Sequence, residues 1–276
     1  MFEILFESPK EAETICSIFR SICKENQMKI NQDDPESIQL LSKKWDESVE
    51  QLIIRGIIHY IIEHKEQEVM LSIIQTHFYF EDHEEQQQIL HIAQSIIEGD
   101  RSEIPQIQKF QHRETYLKEA LQQFLRPNLS FSFHSFFTFR LQEYLKRLQR
   151  YVEVAIEEYK LEQEYQNFIQ TLRDYITVTA SKLDAVKIHH DEQFTIYNRA
   201  GIEMSENELK QYIDTSFIKK QPHMYIDCEL LAPLVCISPK KIILYTDEPD
   251  AGMNQTIQNI FQERVQIFPK SQSLNN

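Results

Sequence analysis

The chain has 276 residues, 41% of them hydrophobic, with 43 acidic against 29 basic side chains and a formal charge of −14. That is enough apolar material for one large core or two modest ones, it excludes a disordered chain, and the negative balance disfavours general nucleic-acid binding. No basic-then-apolar leader opens the sequence, and its most apolar stretch, residues 52–62, is too short for a bilayer and contains Arg55 and His59; a cytoplasmic protein without membrane segments is expected.

Residues 2–7 read as a short strand, and Ser8 before Pro9 is a helix start with a capping hydroxyl and a proline at the first helical position. Ala12, Ile15, Cys16, Phe19, Ile22 and Cys23 give that helix its buried stripe; residues 28–30 read as a second strand, making a small βαβ unit. Asp34 and Pro35 look like a further cap, opening a long helical region whose face is marked by Ile38, Leu41, Trp45, Leu52, Gly56 and Tyr60. Helices follow over 69–80 and 84–98, the latter ended by Gly99, and over 116–125, stopped by Pro127. Residues 101–112 are the candidate for a mobile connection. Phe131, Phe133, Phe136, Phe137 and Phe139 lie within nine residues; with only Arg140 adjacent, a segment docked into the core is favoured over a base-stacking platform.

The longest uninterrupted helical pattern is residues 138–181, about 60 Å at roughly 1.5 Å per residue. Leu141, Leu145, Leu148, Val152, Ala155 and Tyr159 recur at steps of four and three; then the stripe shifts by two residues and continues as Leu161, Tyr165, Phe168, Leu172 and Tyr175. The helix therefore covers two different surfaces, with acidic residues at the changeover. Tyr144, Tyr151, Glu158 and Tyr165 recur every seven residues, as an interface row or as the second side of a buried spine. Beyond it, residues 185–189 and 193–198 read as paired strands, 205–208 as a helix start, 229–237 as a buried apolar segment, 241–246 as a strand, 254–263 as a helix and 265–268 as a last strand.

The fold class is therefore α+β, predominantly α-helical, with a long central helix in a helical body and one small mixed sheet built from the N-terminal and C-terminal segments. The expected organisation is a βαβ-like segment over 1–33, a helical body over 34–181, a mixed α/β segment over 182–270 and a tail over 271–276.

Two stretches carry a family resemblance. Glu157-Glu158-Tyr159-Lys160-Leu161-Glu162-Gln163-Glu164-Tyr165-Gln166-Asn167-Phe168, continuing through Leu172-Arg173-Asp174-Tyr175, resembles the central helix of the YtxC-like family, sporulation proteins of endospore-forming bacteria. Leu234-Val235-Cys236-Ile237-Ser238-Pro239-Lys240-Lys241-Ile242-Ile243-Leu244, followed by Ile257-Gln258-Asn259-Ile260-Phe261 and Arg264-Val265, resembles the family's C-terminal part. The resemblance implies a cytoplasmic, sporulation-associated protein and brings no activity, cofactor or catalytic residue with it.

No catalytic, cofactor or metal residue is assigned from the sequence. The glycines, four in all, form no phosphate loop, no Gly-x-Ser-x-Gly elbow is present, and the four cysteines make no Cys-x-x-Cys pair. Glu153 and Glu157, and Glu158 and Glu162, stand four apart and could converge on a divalent ion in a metal-assisted enzyme using the Glu157 to Glu164 carboxylates, but no Glu-x-x-His accompanies them and a solvated face is favoured. His77, His83 and His91 are spaced six and eight apart, unlike ligands on one helix, and the adjacent His189 and His190 point to opposite sides of a strand. Arg140, Lys146, Arg147 and Arg150 form a basic start to the long helix, which could meet an acidic partner or a nucleic-acid backbone; a solvated basic face is favoured. The preferred reading is a non-enzymatic factor with a protein partner, and its interaction candidates are Tyr159, Lys160, Glu162, Glu164 and Tyr165, together with Arg140, Arg147 and Arg150.

Overall fold

A computed structural model of the chain describes residues 1–23, 28–101, 104, 111–215 and 226–275. The expected connection over 101–112 falls largely outside them. The chain divides into two units, Met1–Lys160 and Leu161–Asn276. The division falls within a single helix, at the point where its apolar stripe changes face.

In the first unit, strand β1 (Phe2–Leu5) leads into helix α1 (Pro9–Ile22), whose cap is Ser8 accepting from the Glu11 N–H. β2 (Lys29–Asn31) and β3 (Ser37–Leu41) form an antiparallel hairpin, with Ile30 opposite Leu40. Here the helix expected from Asp34 is replaced by a strand. The Asp34 carboxylate and carbonyl accept from the N–H groups of Glu36 and Ser37, which closes a turn instead of starting a helix. Ile38 and Leu40 then alternate inward in strand fashion. The helix begins later, as α2 (Glu47–Tyr60), with Asp46 as its cap. A π-helical turn, Ile61–Lys65, links α2 to α3 (Glu66–Thr76).

Helix α4 (His83–Glu98) is capped by Asp82 and ends on Gly99 at φ 91°, a left-handed backbone that glycine adopts without strain. α5 (Arg113–Phe124), β4 (Ser130–Ser132) and α6 (Phe133–Arg140) follow. The phenylalanine-rich segment is docked: Phe133, Phe136 and Phe137 are buried, with Phe124 and Phe136 rings 4.7 Å apart, while Phe139 alone is exposed. Leu141 leaves helical geometry (φ −104°, ψ 25°), so the long helix is α7 (Gln142–Val178), starting four residues later than expected. Between α1 and α2 there is no room for a side chain at position 56. A Cβ on Gly56 would lie 2.3 Å from the Phe19 ring, so glycine lets the two helices touch.

The second unit holds β5 (Ala185–His190) and β6 (Phe194–Asn198) as a hairpin, then α8 (Glu206–Tyr212), opened by a capping box between Ser205 and Glu208. The apolar segment near 230 is a short helix, α9 (Leu231–Ile237), buried at every position. β7 (Lys241–Tyr245), α10 (Gly252–Phe261) and β8 (Val265–Phe268) make a parallel crossover.

The predominantly helical α+β class is what the structure has, but the expected single sheet from both termini is two sheets. One runs β2-β3-β1-β4 and the other β6-β5-β7-β8. The reason lies in the edges. β1 is flanked by β3 on one side and by β4, in parallel, on the other, so neither edge is open to a C-terminal strand. β7 is likewise enclosed by β5 and β8. The N-terminal βαβ is corrected too, since β2 pairs with β3 and not with β1.

Candidate functional site

Helix α7 carries most of the sequence-derived candidates. Its first part buries Tyr144, Leu148, Tyr151, Val152, Ala155 and Tyr159 in the core of the first unit, and its last part buries Ile169, Leu172 and Ile176 in the core of the second. The eight residues between, 160–167, are all exposed. Two members of the second predicted stripe are therefore outside: Leu161 is 59% exposed and Tyr165 37%. Lys160, Glu162 and Glu164 lie on the same exposed run. Tyr165 is fixed at its tip, where its hydroxyl accepts from Asn259 Nδ2 at 3.0 Å, and Arg173 holds the Asn259 carbonyl at 2.7 Å. Tyr159 is not part of this strip. It is 7% exposed, its ring meets Phe80 edge-on, and its hydroxyl donates to Glu85 at 3.0 Å. Tyr144 and Tyr151 are buried as well, so the seven-residue tyrosine row is mostly the second side of a spine.

The carboxylates of Glu157, Glu158, Glu162 and Glu164 do not gather around a cavity. Glu158 faces Arg101 at 3.8 Å, and the others are exposed along the helix. Among the described residues, no three His, Cys, Asp or Glu side chains are grouped as a metal site. The four basic residues expected to open one helix are split, Arg140 ending α6 and the other three lying in α7, and they are matched locally. Arg150 pairs with Glu153 at 2.8 Å, Lys146 with Glu143 at 2.7 Å, Arg147 donates to the Tyr151 hydroxyl at 3.0 Å, and the Arg140 guanidinium lies 5.9 Å above the Phe124 ring centre. These four cations are spread over local partners and do not form one open phosphate-binding row.

Sequence reasoning missed a buried charged cluster in the first unit. Glu66, at the first position of α3 just after the π-helical turn, is 3% exposed. Its carboxylate accepts from the Tyr144 hydroxyl of α7 and from Arg113 of α5 at 3.0 Å. Tyr116 stacks on Tyr144 with ring centres 5.9 Å apart. Burial pushes the Glu66 carboxyl above its usual range, while the Tyr144 hydrogen bond and the Arg113 charge pull the other way. Burial, reinforced by the Glu66 charge, likewise pushes the Tyr144 hydroxyl up. Arg113 and Tyr144 are separated from Glu66 by 47 and 78 positions, so no local motif announces the cluster.

In the second unit the two adjacent histidines do diverge. His189 packs between the rings of Tyr197 and Tyr245, 4.7 and 4.8 Å away, and burial lowers its pKa. His190 stacks on Phe194, and its Nδ1 lies 2.9 Å from Asn254 Nδ2 and 3.1 Å from Thr246 Oγ1. Asn254 also donates to the Glu248 carbonyl at 2.7 Å, so this group ties the ends of β5 and β7 to the first turn of α10.

The described residues define a predominantly helical α+β protein with two four-stranded sheets and one 37-residue helix. The chain is a member of the YtxC-like family, whose model matches residues 51–266. It is 40% identical over 270 residues to a Bacillus subtilis (strain 168) protein named "Uncharacterized protein YtxC", an alignment that covers 98% of this chain and 94% of that one. No solved structure matches the chain. Among the described residues, no helix is long and apolar enough to cross a membrane.

Proposed function

We propose that the chain is a cytoplasmic, sporulation-associated protein-interaction factor without enzymatic activity, and that residues 160–167 of α7 are its contact strip. The observation that carries this reading is the exposed run itself. In a helix whose two ends are buried, eight successive residues, including Leu161 and Tyr165, are left to solvent. Tyrosine is enriched in protein contacts, and the exposed Leu161 adds apolar area beside Tyr165. The surrounding Glu157, Glu162 and Glu164 favour a partner whose contact surface is basic around an apolar recess for Leu161. The sporulation setting rests on the family resemblance of the central helix.

Placing a photo-crosslinking amino acid at Leu161 or Gln163 in sporulating cells tests it. One discrete adduct is expected at both positions and not at the exposed control Lys210, and Glu162→Lys with Glu164→Lys should weaken it about tenfold. Adducts that are the same at Lys210, or indifferent to charge reversal, would remove the strip from consideration.

A further inference from the structure

Strand β8 ends the second sheet on one side, and among the described residues no strand lies beyond it. In a parallel pair, alternate residues of a strand direct both backbone groups to the neighbour and the others direct theirs away. Phe268 faces β7, since its carbonyl accepts from the Thr246 N–H at 2.9 Å, so Val265 and Ile267 face outward. The Val265 N–H donates to the Gln262 carbonyl in the 3₁₀ turn before the strand. The Val265 carbonyl and both backbone groups of Ile267 have no partner among the described residues. The other sheet edges are closed or shorter. On β6 the Ile196 carbonyl and the Asn198 N–H bond with Met204 and Ile202, and β2 and β4 have three residues each. Proteins commonly guard an open edge with a charge or a proline, and Val265-Gln266-Ile267-Phe268 carries neither. The cations beside it are engaged within their own unit: Arg264 donates to the Ser238 hydroxyl at 3.2 Å and the Pro239 carbonyl at 3.3 Å, and Lys270 pairs with Asp191 at 3.1 Å.

What this edge leaves open matches itself. The side chains of Val265 and Ile267 pack on the core of the unit and are only partly buried, so the core runs out to the edge, while Gln266 is exposed on the other face of the sheet. A twofold axis at Gln266, perpendicular to the sheet, sets two copies of β8 antiparallel with Val265 opposite Ile267. The free Ile267 N–H of each copy then meets the free Val265 carbonyl of the other. Each half-buried valine is covered by the other copy's isoleucine, and the two Gln266 amides lie side by side across the axis. A donor and an acceptor two residues apart on one edge are what such a self-matching contact requires, which singles out a second copy of this chain over an unrelated strand. We propose that the chain self-associates through β8 as a twofold dimer, joining two four-stranded sheets edge to edge. This interface is independent of the contact strip on α7.

The test uses the full chain. In sedimentation from about 5 to about 500 µM it should associate reversibly, since so short an edge belongs to the weak class of interface. Gln266→Lys and Gln266→Glu change an exposed side chain and should leave the thermal midpoint in place. Each puts like charges across the axis and should weaken association about fivefold, and an equimolar mixture of the two should restore it. For crosslinking, Cys23 and Cys228, the two cysteines that are not buried, are first replaced by serine. Directly opposed residues without a mutual hydrogen bond have Cα atoms about 4.5 Å apart, within disulfide reach. Gln266→Cys under oxidised glutathione should therefore form a linked dimer about tenfold faster than Lys241→Cys, an exposed position on β7. The proposal is overturned if the chain stays monomeric throughout, if the two cysteine variants crosslink equally, or if the charge-swapped mixture associates no better than its parts.

Discussion

Replacing Tyr144 by phenylalanine removes one hydroxyl from the core of the first unit and leaves the Glu66 carboxylate with Arg113 alone. A hydrogen bond to a buried charged group contributes about 1.5–3 kcal/mol, so a loss of about 2 kcal/mol is expected near pH 7. The loss should depend on pH. The Tyr144 hydrogen bond lowers the Glu66 pKa against the raising effect of burial, so the variant's carboxyl rises further. A carboxyl whose pKa is raised on folding contributes stability when protonated and loses it as pH climbs through the folded value. The variant therefore recovers on acidification, and its deficit against the wild type shrinks as pH falls through its own Glu66 pKa. Urea unfolding followed by Trp45 fluorescence reads this unit, since the chain's single tryptophan sits there, 5.8 Å from the Phe2 ring. With slopes of about 1–3 kcal/mol per M, the midpoint should drop by roughly 1 M near neutrality and by less near pH 5. Combination with Glu66→Gln should give a coupling of about 1–3 kcal/mol. An unchanged midpoint at neutral pH, or equal shifts at both pH values, refutes the reasoning.

Gly56→Ala should destabilise the first unit by about 1–3 kcal/mol in the same assay, because its methyl group would overlap the Phe19 ring. Tyr159→Ala should lower stability by about 3–5 kcal/mol and Tyr165→Ala by less than about 1 kcal/mol, a contrast set by burial and read by thermal melts. Asn254→Ala should cost the second unit about 2 kcal/mol and speed amide exchange across β7 and the start of α10, since it removes the donor to the Glu248 carbonyl. Burial depresses the His189 pKa, so this residue contributes stability that is present above its unfolded value and lost as pH falls through its folded one. An NMR titration should place it below the usual 6.5.

What was legible in the sequence was local. Ser8, Gly99 and the Ser205–Glu208 pair mark helix ends because a cap acts within three or four residues of itself. The shift of stripe after Tyr159 shows that the helix presents two faces, and the division between units falls there, although the organisation expected from the sequence draws its boundaries at 33 and 181. β3 was misread because Asp34-Pro35 suits both a helix cap and a turn, and only pairing with β2 and β1 decides between them. β4 is three residues long and exists only because β1 offers it an edge. Leu161 and Tyr165 continue the helical rhythm and yet are exposed, because periodicity records which side of a helix a residue is on and not where a core stops. The Glu66, Arg113 and Tyr144 cluster is assembled from three helices and has no signature in any one of them.

The contact strip requires α7 to remain helical through its exposed middle, with side chains in solvent and backbone hydrogen-bonded. Amide hydrogen exchange of the free protein, resolved over residues 157–169, tests this most directly. Protection well above unstructured-chain rates across the whole stretch is the predicted result. Exchange at unstructured rates near Lys160 to Glu164 would contradict it, because a strip that is not a helix cannot present Leu161, Glu164 and Tyr165 as one contact surface.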